Sequence, residues 1–338
     1  IYHTGPKFKD PVVSNIILIL EKEQDQKKRE QNFVRICLDS ADNTLERKIL
    51  QKRIKGWNYR FLVNLNETDI KLLEKLNTEN PRLKEIGGRA GYKIKIKRGV
   101  ELGKEGKIIY CEQCKSYYPV PRELICKECG KELDKKDIEQ IIIDKIDKKE
   151  REKIYEKYLY SINRYQSLEY KYIVMGKPGI NYKKREIYQD RIVVRQLSQD
   201  HKICATYEEY LSFTSQSFYN LKILESSTPN FNHHYLLGIL NSTLLSYYFI
   251  KSFGSYKKLF PRILIEKLKE LPIKIPEDNE QEILAKKISK KVQAILKKTK
   301  KDLDEIPHLQ EEIDKLVFKL YNLNEDEKQY ISAFMKNL

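Results

Sequence analysis

Two cysteine pairs carry the clearest chemistry in the chain: Cys111-Glu-Gln-Cys114 and Cys126-Lys-Glu-Cys129-Gly130. Each Cys-x-x-Cys turn can aim two thiolates at one ion, and two such turns supply the tetrahedral sulfur shell that Zn²⁺ prefers. The pairs are separated by 11 residues, slightly short of the usual window but ample for a ribbon. Gly130 suits a tight knuckle. Four thiolates leave no coordination position open, so a zinc ion held by Cys111, Cys114, Cys126 and Cys129 is expected to be structural. The other two cysteines, Cys37 and Cys204, lie in strand-like apolar runs and are expected to be small buried side chains. His3, His201, His233, His234 and His308 all fall outside the stretch between the pairs, which argues against a cysteine-framed His-Asn-His nuclease.

A second set mixes cations with amides and aromatics. Lys183, Lys184 and Arg185 precede Arg191, Arg195 and Gln196; Tyr256, Lys257, Lys258 and Arg262 follow Gly254. Arg and Gln reach base edges with two hydrogen bonds, whereas Lys mostly pairs with phosphates, so these positions are candidate DNA contacts, with a solvated surface as the alternative. Residues 286–301 hold eight lysines and no acid. Phosphate contact and mere solubility both fit that run.

Composition points the same way. The 338 residues carry 65 Lys+Arg against 49 Asp+Glu, a formal charge of +16, which favours an anionic partner, nucleic acid before membrane surface. A hydrophobic fraction of 40% with 23 Tyr is enough for a core and argues against wholesale disorder. No apolar run approaches the roughly 20 residues of a membrane helix. Six cysteines, four with metal spacing, suit a reducing, cytoplasmic setting rather than a disulfide framework. There is no Gly-x-x-x-x-Gly-Lys-Ser/Thr or Gly-x-Gly-x-x-Gly loop, and no Asn-Pro-Pro-Tyr or Asp-Pro-Pro-Tyr tetrapeptide. Glu105-Gly-Lys107 and Glu46-Arg-Lys48 match half of a common nuclease motif, but neither has a well-placed partner Asp. No catalytic or cofactor-binding residue is assigned.

The elements that must position these groups follow from hydrophobic periodicity. Residues 12–20 read as a buried strand and 33–38 as a half-buried one, together an antiparallel hairpin that cannot stand alone. Leu45, Ile49, Leu50 and Ile54 have helical spacing. Asn66 with Asp69 caps a helix from 67 to 76. Six glycines between 87 and 106 mark turning backbone. Ile142, Ile146, Ile154 and Tyr158 recur at helical spacing within 137–160. Strands are expected in 170–175, 191–197, 202–207 and 218–224. Residues 232–249 read as one buried helix, 281–301 as an amphipathic helix with Leu284, Ile288, Val292 and Ile295 on one stripe, and Ile313, Leu316, Val317 and Leu320 as a second.

These pieces resemble a family. Arg98-Gly-Val-Glu-Leu-Gly103, the cysteine pairs, Ile162-Asn-Arg-Tyr165, Gly176-Lys-Pro-Gly179-Ile-Asn-Tyr-Lys183, Arg191-Ile-Val-Val-Arg-Gln196, Ala205-Thr206, Tyr235 to Ser242, Phe260-Pro-Arg-Ile263 and Leu271-Pro-Ile273 follow one another in an order similar to the TaqI-like C-terminal specificity domain. That domain belongs to adenine-N6 DNA methyltransferases and type IIG restriction–modification enzymes. The resemblance covers roughly residues 85–335. It implies an α+β chain. Residues 1–42 would be the terminal β-hairpin of an upstream methyltransferase sheet, and 43–98 a helical linker leading into the recognition domain. A zinc knuckle with four cysteine ligands would span 99–135, a mixed α/β target recognition domain 136–276, and C-terminal helices 277–338. It implies double-stranded DNA and an upstream methyltransferase domain of the same polypeptide as partners, with S-adenosylmethionine held only in that upstream part, where a target adenine is flipped for methyl transfer. The residues alone stop at a nucleic-acid-binding module. A zinc-ribbon RNA-binding protein, or a protein–protein subunit of a phage-defence complex, stays open beside the family reading.

Overall fold

The computed structural model describes residues 2–6, 14–39, 44–57, 60–62, 65–103, 105–146, 154–254, 262–298 and 300–338. The chain divides into two compact units, one over 1–71 and one over 72–254 and 258–338.

The first unit is built on a four-stranded sheet. Its elements are β1 (Tyr2–Pro6), β2 (Ser14–Ile17), α1 (Gln26–Gln31), β3 (Phe33–Asp39), β4 (Thr44–Leu50) and α2 (Gln51–Gly56), with strand order β2-β1-β3-β4. The hairpin expected over 12–38 is not what forms. β1 lies between the two strands, antiparallel to β2 and parallel to β3. The link between β2 and β3 is also too long to impose a hairpin register. The first strand ends at Ile17, and Ile19 and Leu20 are exposed rather than buried. Thr44 to Leu50 is a strand, not a helix: Leu45 and Ile49 satisfy a period of two as well as one of 3.6, and the seven-residue register of Phe33–Asp39 against it settles the matter.

The second unit holds three sheets and most of the helices. α3 (Glu67–Glu79), whose first turn belongs to the first unit and whose remainder belongs to the second, opens on a capping box, in which Asp69 N–H donates to Asn66 Oδ1 (2.8 Å) and Asn66 N–H to Asp69 Oδ2 (3.1 Å). After α4 (Leu83–Ile86) comes β5 (Lys93–Arg98), then a sheet of order β7-β6-β8 from β6 (Lys107–Cys111), β7 (Ser116–Pro119) and β8 (Ile138–Gln140). β9 (Ile142–Ile143), β10 (Tyr155–Asn163) and β11 (Gln166–Val174) form a second sheet, order β10-β11-β9. The third joins β12 (Arg191–Arg195), β13 (Ala205–Glu208) and β14 (Phe218–Glu225) to β5 in the order β13-β12-β14-β5. The helix suggested for 137–160 is absent among the described residues. Strand pairing of Tyr155–Asn163 along the whole of β11 overrides the spacing of its isoleucines.

α5 (His233–Leu240), α6 (Thr243–Phe253), α7 (Ile265–Lys269), α8 (Asn279–Leu296), α9 (Ile306–Leu320) and α10 (Glu325–Lys336) complete the unit. The single helix expected over 232–249 is two. Ser242 Oγ accepts from Leu245 N–H (3.2 Å) and starts α6, while the Asn241 amide bonds both the N–H and the C=O of Ala205 at 2.9 Å each. The break therefore ties the helices to β13. Leu284, Ile288, Val292 and Ile295 of α8 are buried, each contributing roughly 1.5–3 kcal/mol. Gly238 lets α5 approach α8: a Cβ there would stand 2.5 Å from Ile288 Cγ2.

Candidate metal centre and nucleic-acid interface

β6 ends on Cys111, and a turn with Lys115 at φ 50° brings Cys114 beneath it before β7 begins. The second knuckle closes through Gly130 N–H to Cys126 C=O (2.9 Å) and Cys126 N–H to Lys131 C=O (2.8 Å), with Gly130 at φ 73°, a conformation that favours glycine. Ile109, Leu133, Leu124, Tyr118, Val120 and Ile138 pack beneath the thiols. The four Sγ atoms lie within 4.8 Å of one another, with Cys111–Cys129 at 3.7 Å and Cys114–Cys126 at 3.8 Å. Sulfurs at the corners of a tetrahedron around zinc, bonded at about 2.3 Å, stand about 3.8 Å apart, so the cluster fits a metal ion of that kind. Backbone N–H groups of Cys129 and then Glu128 pull the Cys126 thiol down to about 7, whereas hydrogen bonding with Cys129 pushes Cys114 up to about 12. Thiolates this close repel one another, so one ionises at the expense of its neighbours; a bound cation would offset that repulsion. Cys204 is fully buried, its thiol pushed up to about 11 by burial, and Cys37 is half-buried.

The basic set does not form one patch. Arg191 has no exposed surface. Its Nε donates to Asn220 Oδ1 (3.0 Å) and its terminal nitrogens to Ser212 Oγ (3.1 Å) and Tyr210 C=O (3.3 Å). Ser212 Oγ in turn donates to Glu208 (2.9 Å), which also accepts from Tyr170 Oη (2.7 Å). Burial lowers Arg191 to about 10, and the Glu208 carboxylate works against that shift. This side chain stitches β12, β13 and β14 from inside and is not presented to a ligand, which corrects its assignment as a DNA contact. Gln196 is likewise buried: its Nε2 donates to Gln216 C=O (2.6 Å) and its Oε1 accepts from Arg262 Nε (3.0 Å). Two residues expected to face bases thus meet each other. Arg195 donates to the carbonyls of Leu197 (3.0 Å) and Ser198 (2.6 Å), fixing the turn after β12.

The remaining cations of the set are more accessible. They lie on the loop between β11 and β12 or, for Arg262, shortly before α7. Lys184 is exposed, Lys183 pairs with Glu101 (2.8 Å) and Arg185 with Glu156 (2.6 Å), and Arg262 keeps an exposed surface. Tyr256, Lys257 and Lys258 lie outside the described residues.

Sequence reasoning missed two basic features. β5 reads Lys-Ile-Lys-Ile-Lys-Arg, an alternation that should have identified a strand; it leaves Lys97 and Arg98 exposed beside β14. Lys157 sits 3.7 Å over the Tyr170 ring, Lys171 4.0 Å over Tyr160, and Lys177 4.8 Å over Tyr117. The first two pairs need the β10–β11 register, a signal masked by the helical spacing of 137–160, and the third needs the loop after β11 to meet β7.

The family model of the TaqI-like C-terminal specificity domain matches residues 140–273. That span runs from β8 through α7 and includes Arg191 and its network, the loop cations and Arg262. Residues 140–273 belong to this family. The cysteine cluster precedes the matched span, while α8, α9 and α10 follow it. A Methanocaldococcus jannaschii protein whose name reads putative type II restriction enzyme and methyltransferase RM.MjaORFECS2P is 36% identical over 139 residues, which cover 39% of this chain and 12% of that protein. The chain therefore spans a small part of the relative's length. The structure of the type IIL restriction–modification enzyme MmeI in complex with DNA aligns over 90% of this chain and 41% of that one, at 10% identity and a TM-score of 0.44. No described helix beside or within the specificity domain is long and apolar enough to cross a membrane.

Proposed function

We propose that this chain is the DNA target-recognition portion of a site-specific adenine-N6 DNA methyltransferase or type IIG restriction–modification enzyme, working in the cytoplasm against foreign DNA. The observation that carries the reading is the specificity-domain match over 140–273, on a chain of charge +16. The upstream part of the polypeptide would hold S-adenosylmethionine and the catalytic tetrapeptide, and residues 1–42 would finish its sheet. Residues 43–98 would then lead into a knuckle at 99–135, a recognition domain at 136–276 and helices at 277–338. Duplex DNA would be held opposite that catalytic body. Lys and Arg fix its register on phosphates, loop side chains read bases, and the target adenine is held where it can be extruded.

Lys183, Lys184, Arg185 and Arg262, together with Tyr256, Lys257 and Lys258, are the proposed DNA contacts. Arg191, Arg195 and Gln196 act behind them by holding the sheet and its loops. Cys111, Cys114, Cys126 and Cys129 would hold a structural zinc, whose bound charge keeps the thiolates ionised and joins the two knuckles.

Duplex binding measured against salt tests the reading. Affinity should fall steeply, log K by about 0.9 per phosphate contacted for each log unit of salt. A chain with no affinity for duplex DNA at low salt, or one that prefers single-stranded RNA, sinks it.

A further inference from the structure

The lysine run that the specificity domain does not include acquires a definite geometry in α8. Its apolar stripe, Leu284, Ala285, Ile288, Val292 and Ile295, is buried. Opposite that stripe stand Lys286, Lys290 and Lys297, which with Gln293 fall within about 60° of the helix circumference at about 100° per residue. From Lys286 to Lys297 the line extends about 16 Å.

The fold sorts the nearby charges. Lys291 is taken by Glu312 (2.8 Å), and Lys298 by Glu305. The acids at the start of α8 are engaged elsewhere: Asp278 caps the helix through Gln281 N–H (2.8 Å), Glu280 pairs with Lys319 (2.9 Å), and Glu282 accepts from Thr228 and Asn230. Lys286, Lys290 and Lys297 join no ion pair among the described residues, and Lys286, Lys287, Lys290 and Lys297 are all exposed.

We propose that this outer face of α8 is a second DNA-contacting surface that grips the phosphate backbone of duplex DNA without reading sequence. The inference rests on the DNA-binding reading above and extends it to a helix outside the matched domain. Three observations select the partner. A line of about 16 Å spans about five phosphates of one strand, counted along the duplex axis. α8 has no aromatic residue, so it offers no platform on which the bases of single-stranded RNA or DNA could stack. Its apolar stripe is buried within the protein, so it has no face to insert into a lipid surface. Lys is the side chain that meets phosphate as a point charge, and Gln293, the one amide on the line, lies 3.5 Å from His234 Nδ1.

The test compares the full chain with a triple variant, Lys286→Gln, Lys290→Gln and Lys297→Gln, on a short random-sequence duplex between roughly 50 and 200 mM salt. The slope of log K against log salt should become shallower by about 2.7, that is, 0.9 for each of three contacts, with the urea midpoint unchanged. An unchanged slope in a wild-type chain that binds duplex makes these lysines mere solubilisers and overturns the inference alone. A wild-type chain that ignores duplex removes the underlying reading as well. The inference also fails if the variant loses affinity for single-stranded RNA or phosphatidylserine vesicles while duplex binding stays intact.

Discussion

The cysteine cluster and strand β12 both concentrate polar side chains in a short stretch, yet they are organised in opposite ways. In the cluster, two local turns, one within Cys111–Ser116 and one within Cys126–Lys131, aim four sulfurs at one point, over a small apolar floor. In β12, consecutive side chains point to opposite faces and Arg191 is swallowed by two neighbouring strands. Local turns make a residue's role independent of the remote chain; a central strand makes it depend entirely on what pairs with it. The cluster should therefore fail locally when disturbed, and the β12 network globally.

Breaking the cysteine cluster, the proposed zinc site, tests the first half and should have the largest effect. Cys126→Ser, or chelation, should abolish a zinc stoichiometry of about one per chain and forfeit on the order of 10–16 kcal/mol of metal-coupled folding in that lobe. Hydrogen exchange should report lost protection at Ile109 and Cys111 while Val193 and Leu221 stay protected. A metal-free sample with an intact, protected knuckle would show that the packing of Ile109, Leu133 and Tyr118 suffices alone.

Arg191→Ala tests the second half. Leaving Asn220, Ser212 and Glu208 without their buried cation should cost about 3–5 kcal/mol, seen as a large drop in the urea midpoint of the whole second unit. Arg191→Lys should rescue little, because a compact ammonium cannot reach acceptors that the guanidinium meets from Nε and from both terminal nitrogens. Were Arg191→Ala to keep the wild-type midpoint and lose only DNA discrimination, the arginine would be a reader after all and the contrast would collapse.

A third experiment asks whether the junction of β12 with α5 behaves like the network. Burial lowers His233 to about 4; Asp190 opposes that shift at 3.4 Å, His234 and Lys222 add to it, and Nε2 accepts from Ile223 N–H (2.9 Å). The unfolded imidazole titrates near 6.5, so it binds a proton before the folded one does. The stabilisation is complete above pH 6.5 and is lost as pH falls toward 4, about 3 kcal/mol at about 1.4 kcal/mol per pH unit. His233→Gln should flatten urea midpoints in that window; the same acid slope in both proteins would assign it to other groups.

The smallest effect is expected at Lys184. Its replacement by Gln should leave stability within about 0.5 kcal/mol and make the salt slope of DNA binding shallower by about 0.9. A destabilised variant would move Lys184 into the class of Arg191.

Much of this was legible in the residues. The clustering of the four cysteines, the cap at Asn66, the strands Arg191–Arg195, Ala205–Glu208 and Phe218–Glu225, and the stripe of α8 all have signals that repeat within a few residues. β4 and β10 were misread as helices because short apolar runs satisfy two periods at once, and only strand pairing chooses between them. β5 was passed over among glycines although its alternation is strict.

The sequence by itself determined the charge, the thiol cluster and the order of motifs that marks a specificity domain, because each depends on residue type and short-range spacing. Only the tertiary structure decided which cations remain outside. Arg191 and Gln196 are drawn inward because β12 is flanked on both edges and covered, so their hydrogen bonds must be met by the protein. Lys291 and Lys298 are neutralised by acids that arrive from a later part of the chain, while Lys286, Lys290 and Lys297 are left facing solvent. Burial and pairing are properties of distant neighbours, and no local pattern encodes them.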